Sequence, residues 1–153
     1  MSANISASDV KKLRDQTGAG MMDCKQALAE SNGDFEGAIE YLRKKGQKVA
    51  VKRADREANE GVVIALTSDD QQRGIIVRVS CETDFVSKNE DFIALTKSFA
   101  KAAIDAFPAD TDALAALPYG NITIGEKVLE QVGVIGEKME LTYEKIEAEM
   151  VLP

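Results

Sequence analysis

The chain has 153 residues, of which 44% are hydrophobic and 29% charged, and its formal net charge is −7. This composition is typical of one medium globular domain or two small ones, and the acidic balance disfavours wholesale binding to phosphate backbones. Histidine is absent, which excludes Ser-His and Cys-His nucleophilic sites and His-ligated metal sites. Cys24 and Cys81 form no CxxC motif, so reduced thiols in a cytoplasmic protein are expected. No membrane span is expected, because no run of about 18 apolar residues occurs.

Three short helices are predicted at the N-terminus. Ser6 is a candidate N-cap for the first, and Gly18 can end it in the left-handed conformation. The second helix should end before Gly33, and Asp34 is a candidate N-cap for the third. Gly46 is expected just after the last turn of the third helix.

The chain is predicted to divide into a three-helix module over residues 1–46, a basic linker over 47–60 and an α+β core over 61–153. Arg43 to Arg56 contains seven basic residues and one acid, Asp55. Such a segment is typical of a linker or a solvated basic helix face. RNA binding through residues 43–56 is the less favoured alternative, and it would give a salt-sensitive affinity.

The core should contain helices packed on a small antiparallel sheet, which is the α+β class. Strands are predicted over 62–67 and 75–81, joined as a hairpin. Ser87, with Glu90 three residues later, is the candidate N-cap of a long helix that Pro108 ends. A further helix opens at Thr123 and should close at Gly133.

The last predicted strand begins near Met139 and alternates apolar and charged residues. The apolar positions change parity near Glu144–Lys145, which indicates a bulge or turn there. The strand stops at Val151-Leu152-Pro153. An apolar strand at the end of a chain indicates truncation, with a natural short protein as the alternative.

Two segments carry features expected of binding rather than catalysis. Met21 and Met22 point about 100° apart on a helix, so both cannot centre on one narrow buried stripe. Either both pack in the core, or one is exposed and offers an adaptable contact flanked by Lys25.

The second segment runs from Cys81 to Val86, between a strand and a helix. With Ser87 as N-cap, Val86 would need an apolar partner at position 91, which is Asp91. Phe85 either turns inward onto the helix or points outward beside Asp84. An outward Phe85 on a rigid corner is how an interface hot spot is often built.

These segments resemble signatures of the bacterial translation elongation factor Ts family. The similarity covers the run LRDQTGAGMMDCK from Leu13 to Lys25, the segment from Gly33 to Gly46, and the run CETDFV from Cys81 to Val86. The order and spacing of the motifs also fit. The chain is similar to the N-terminal half of that family.

The resemblance implies a ubiquitin-associated-like fold for the three-helix module. It also implies guanine nucleotide exchange on elongation factor Tu, a translation role that makes no covalent bond, so no enzyme activity is expected. Asp84 and Phe85 would be wedged near the magnesium and nucleotide site of the GTPase domain, with Thr83 and Val86 beside them. The module surface that grips the same domain would include Arg14, Met21, Met22 and Lys25.

The remaining expectations concern cofactors, partners and alternatives. We expect no cofactor, no metal, no direct nucleotide binding, no nucleic-acid partner and a cytoplasmic location. Short members of the family dimerise, so the resemblance also allows a homodimer. The main alternative function is a helical partner-binding module without exchange activity.

Overall fold

The computed structural model describes residues 4–152. Residues 1–3 of the predicted helical module and Pro153 of the predicted core and last strand therefore lie outside the described residues. The described chain combines helices with antiparallel strands, which confirms the predicted α+β class. In chain order the elements are α1 Ala7–Thr17, α2 Met21–Glu30, α3 Phe35–Lys52, β1 Glu60–Thr67, β2 Arg73–Cys81, α4 Asp84–Ser87, α5 Glu90–Ala106, α6 Thr111–Ala115, β3 Pro118–Tyr119, β4 Ile122–Thr123, α7 Ile124–Ile135 and β5 Glu140–Glu147.

The chain forms two compact units. The first contains the described residues through Asp55 together with Leu129–Glu137, and the second contains Arg56–Val128 and the described residues from Lys138 onward. Since α3 continues to Lys52, residues 47–52 of the predicted linker are helical.

Local signals in the first unit act as predicted. The Ser6 hydroxyl accepts a hydrogen bond from the Asp9 N–H at 3.1 Å, and Gly18 ends α1 with a φ of 77°. The Asp34 carboxylate caps α3 by accepting from the Gly37 N–H at 3.1 Å. The small aliphatic core of the unit consists of Val10, Leu13, Ala19, Cys24, Ala27, Leu28, Ala38 and Leu42.

Gly46 and Gly133 lie inside helices, so the predicted ends of two helices at these residues were wrong. A Cβ on Gly46 would overlap the carbonyl oxygen of Leu129, and a Cβ on Gly133 would lie 2.9 Å from the Gly46 Cα. The two glycines therefore let the backbones of α3 and α7 meet. This tertiary contact outweighs the weak local preference of glycine for a helix end.

The second unit is built on a three-stranded antiparallel sheet with the order β1-β2-β5. The predicted hairpin is confirmed by the pairing of β1 with β2 from Glu60↔Cys81 to Thr67↔Gly74. The buried side chains of β2 include Val77 and Val79, and α5 packs against β1 and β2. The short β3–β4 hairpin was not predicted from the sequence.

The N-cap of the long helix α5 is Asn89, and not Ser87 as predicted. The Asn89 side-chain oxygen accepts from the N–H groups of Asp91 at 2.9 Å and Phe92 at 3.2 Å. Ser87 is the last residue of α4, so its hydroxyl is directed to the Asp84 carbonyl at 3.3 Å. Asparagine caps helices as well as serine does, and sequence spacing alone did not distinguish the two.

The predicted bulge in the last strand is also wrong. The register of β2 with β5 continues without a break from Ser80↔Glu140 to Arg73↔Glu147. Tyr143 is buried, whereas Ile146 is exposed. The parity change therefore reflects an apolar side chain on the exposed face and not a change in backbone pairing.

Candidate functional site

A short exposed turn follows the central strand β2 of the second unit. We call residues 82–88 the Phe85 corner. Thr83 precedes α4 with extended backbone, and α4 presents Phe85 with 86% of its surface exposed, the largest fraction among the exposed large hydrophobic side chains in residues 4–152. Of the two alternatives left open by the sequence, the structure therefore shows the outward one. Asp84 is also exposed, while Thr83 and Val86 are half-buried.

Hydrogen bonds attach the Phe85 corner to the rest of the second unit. The Glu82 carboxylate accepts from the backbone N–H of Lys138 at 3.2 Å. The Lys138 ammonium in turn donates to the Arg56 carbonyl at 3.2 Å. The Cys81 thiol donates to the Thr83 carbonyl at 3.3 Å, and α4 contacts β1 and β2. Phe85 is thus exposed on a short helix whose preceding residues are hydrogen-bonded within the second unit.

Asp84 precedes Phe85 in the chain, and its carboxylate forms an ion pair with Lys88, 3.2 Å away. Both side chains are more than half exposed. Exposed pairs of this kind contribute about 0–1 kcal/mol, so the Asp84 carboxylate can exchange Lys88 for another cationic or hydrogen-bonding partner at a small energetic cost. The corner therefore carries both an exposed apolar ring and an exposed anionic group.

The first unit carries a separate apolar groove of about 650 Å³, which we call the α1–α2 groove. All four residues predicted on this module line it, and Met21 and Met22 are 59% and 77% exposed. Both methionines are therefore available to a partner. The groove is lined by Ile5, Ala7, Val10, Lys11, Arg14, Asp15, Met21, Met22 and Lys25.

The sequence reasoning missed part of this groove. The lining residues that were not predicted are Ile5, Ala7, Val10, Lys11 and Asp15. One available signal was the spacing of Lys11 and Arg14, which lie three residues apart and so share one side of α1. Lys11, Arg14 and Lys25 give the groove a cationic rim that Asp15 offsets in part.

Within residues 4–152, no group of three or more His, Cys, Asp or Glu side chains is placed to hold a metal ion. Both cysteines are buried, and burial raises the pKa of the Cys24 thiol above its ordinary value. A buried neutral thiol is a poor nucleophile. None of the described helices is long and apolar enough to span a bilayer.

Comparison with known proteins identifies relatives over nearly the whole chain. The family model described as Elongation factor TS matches residues 82–151, which include the Phe85 corner. Elongation factor Ts of Christiangramia forsetii is 52% identical over 150 residues, covering 97% of this chain and 54% of that protein. The same-named protein of Flavobacterium psychrophilum is also 52% identical, with the same coverage of 97% and 54%.

Elongation factor Ts of Rhodopirellula baltica is 53% identical over 146 residues, which are 95% of this chain and 44% of that protein. The chain thus spans about half the length of the curated relatives that it matches, and corresponds to their N-terminal part. Identity of about half over nearly the whole chain, together with the family match, shows that the chain is similar to the N-terminal part of elongation factor Ts proteins.

Proposed function

We propose that this chain is a translation factor that binds elongation factor Tu and promotes the release of GDP. The observation that carries the proposal is the outward placement of Phe85 on the hydrogen-bonded Phe85 corner. A large aromatic side chain has few rotatable bonds, so it loses little conformational entropy when a partner covers it. Such residues supply a large share of the binding energy in protein interfaces.

The proposed mechanism is differential binding and involves no covalent step. Phe85 and Asp84 insert near the magnesium and nucleotide site of the GTPase and stabilise its nucleotide-free form. By linkage, a factor that prefers the nucleotide-free form weakens GDP binding by the same ratio. Contacts that are equally favourable in the GDP-bound and nucleotide-free forms do not change the affinity for GDP. Disturbing Mg²⁺ ligation leaves phosphate charge uncompensated, which favours GDP release.

The α1–α2 groove supplies the second part of the proposed interface. Exposed Met21 and Met22 offer polarizable side chains that adapt to a partner surface, and Arg14 and Lys25 favour an acidic rim on that partner. The proposal includes a ubiquitin-associated-like arrangement of α1, α2 and α3, and a cytoplasmic location. Both are implied by the family.

The test is release of fluorescent GDP from elongation factor Tu with the chain at substoichiometric concentration. The unmodified chain should accelerate release over many turnovers. Phe85→Ala should reduce the acceleration about tenfold or more, because interface hot spots are worth about 2 kcal/mol or more. Its melting temperature should not change, since the ring makes little contact with its own chain.

Met150→Ala is the matched control, because Met150 is 67% exposed and also lies in the second unit. It should exchange as the unmodified chain does. Binding without acceleration would instead favour the alternative, a partner-binding module without exchange activity. The absence of both binding and acceleration would contradict the proposal.

A further inference from the structure

Three lysines form one exposed face along the second half of α3. Lys44, Lys48 and Lys52 are all exposed and four residues apart, which places them in a row along the helix surface. We call these three residues the lysine face. Val51, which is 78% exposed, lies beside them.

No carboxylate within residues 4–152 forms an ion pair with any member of the lysine face. This distinguishes them from the next lysine in the same helix, since Lys45 lies 2.6 Å from the Asp23 carboxylate. Glu40 is four residues before Lys44, but it forms an ion pair with Arg43. The chain thus leaves a row of cations uncompensated although its formal net charge is −7.

The helix macrodipole explains only the end of this row. Cations are stabilising near a helix C-terminus, but the effect falls off within the last turn. Lys52 is the last residue of α3 and benefits from it. Lys48 and Lys44 lie about one and two turns earlier, where the macrodipole gives them little stabilisation.

We propose that the lysine face binds the phosphate backbone of double-helical nucleic acid. At a rise of about 1.5 Å per residue, the eight steps from Lys44 to Lys52 span about 12 Å. One strand of a duplex carries a phosphate about every 3.4 Å along its axis, so this length faces three or four phosphates. Three ammonium groups match that number of charges.

The chemistry of the face favours phosphates over bases or a protein. None of the aromatic rings of α3 is exposed, since Phe35 and Tyr41 pack against the core of the first unit. Without an exposed ring the face cannot stack on the bases of single strands. Lysine is also depleted in protein interfaces, whose hot spots are enriched in Trp, Tyr and Arg.

This inference goes beyond the proposed exchange function and does not depend on it. The net negative charge disfavours nucleic-acid binding over the whole surface, but it does not prevent binding through one basic face. The acidic remainder of the chain should make the binding weak and should orient the duplex toward α3. Binding should weaken steeply as salt is added.

The experiment measures binding of the full chain to a fluorescent DNA duplex of about 20 base pairs, between about 50 and 200 mM salt. The triple variant Lys44→Gln/Lys48→Gln/Lys52→Gln should weaken binding about tenfold or more. It should also lower the slope of log K against log salt by about 2.7, since each phosphate contact contributes about 0.9. Glutamine preserves helix propensity, so α3 should remain folded.

The matched control is Lys12→Gln/Lys97→Gln/Lys101→Gln, which replaces three other exposed lysines and gives the same net charge. It should leave the slope unchanged. The single variant Lys48→Gln should lower the slope by about 0.9, which keeps the test decisive if the triple variant is unstable. An equal loss of affinity and slope in the control would show that binding follows the net charge alone, and would overturn the proposal.

Further measurements compare DNA duplexes, RNA duplexes and anionic lipid vesicles as the source of the bound phosphates. Equal binding to DNA and RNA duplexes supports recognition of the backbone alone, and preference for RNA supports a contribution from the 2′-hydroxyl or A-form geometry. Vesicles containing anionic lipid are the third probe. Binding to vesicles but not to duplexes would overturn the proposal, as would the absence of binding to any duplex at the lower salt concentration.

Discussion

Gly46 of α3 and Gly133 of α7 face each other so closely that a Cβ on Gly133 would lie 2.9 Å from the Gly46 Cα. Glycine in a helix interior is normally about 1 kcal/mol less favourable than alanine. At position 46 we expect glycine to be more favourable than alanine. Gly46→Ala should lower the free energy of unfolding by about 2 kcal/mol, because the added methyl group meets backbone that cannot rotate away.

Urea denaturation checks this prediction, and Gly133→Ala should behave in the same way. Gly20→Ala is the control, since its Cβ would approach no atom more closely than 3.9 Å. The control should change the stability by less than about 1 kcal/mol. A stabilised Gly46→Ala variant would show that the two helices are not in contact at this point.

The Glu82 carboxylate is predicted to position Phe85 through its bond to the Lys138 N–H. Glu82→Ala should reduce GDP release from elongation factor Tu several-fold, because the Phe85 corner loses an attachment. Glu82→Gln should retain most of the activity, since the amide oxygen can still accept the bond. The effect should appear in the maximal rate more than in the concentration for half-maximal exchange. Equal activity of the alanine variant and the unmodified chain would contradict this role.

The α1–α2 groove gives a prediction about affinity. Met21→Ala/Met22→Ala should weaken binding to elongation factor Tu about tenfold, because two adaptable apolar contacts are lost. Calorimetric titration is the measurement. Val51→Ala is the control, since Val51 is 78% exposed in the same unit but does not line the groove. An unchanged affinity of the double variant would place the interface elsewhere.

The cap of α5 can be tested by two parallel substitutions. Asn89→Ala should lower the free energy of unfolding by about 1 kcal/mol, because the N–H groups of Asp91 and Phe92 lose their acceptor. Ser87→Ala should change the stability by about 0.5 kcal/mol or less, since Ser87 does not cap α5. Chemical denaturation distinguishes them. A larger loss from Ser87→Ala would favour the cap expected from the sequence.

The buried Cys24 thiol makes stability depend on pH in the alkaline range. Burial raises its pKa above the ordinary value of 9.0, so the folded state holds a proton that the unfolded state releases. The contribution of this thiol to the free energy of unfolding is therefore fully present below pH 9.0, and it is lost as the pH rises through the folded-state pKa. In Cys24→Ala the decline of unfolding free energy above pH 9.0 should be shallower. Identical slopes would exclude a contribution from Cys24.

Much of the fold could be predicted because its signals are local. The cap at Asp34, the left-handed end of α1 at Gly18 and the alternation of β2 each depend on residues a few positions apart. The same is true of Thr123, whose hydroxyl and backbone N–H both pair with Glu126 as a capping box requires. Local hydrogen bonds and side-chain period are encoded in neighbouring residues, so a single sequence reveals them.

The candidate site was predicted only in part. The runs containing Met21, Met22, Asp84 and Phe85 marked candidate surfaces, but whether each apolar side chain points outward depends on packing. Phe85 is 86% exposed, although the short helix α4 that carries it contacts β1 and β2. No pattern in the CETDFV run carries that information.

Composition, charge and local periodicity thus determined the α+β class, the hairpin, most helix starts and the absence of histidine chemistry. The tertiary structure decided that Gly46 and Gly133 join helices instead of ending them, and that Glu82 holds the Phe85 corner through Lys138. The reason is physical. These contacts join residues at least 56 positions apart in the chain, and only long-range packing brings them within reach.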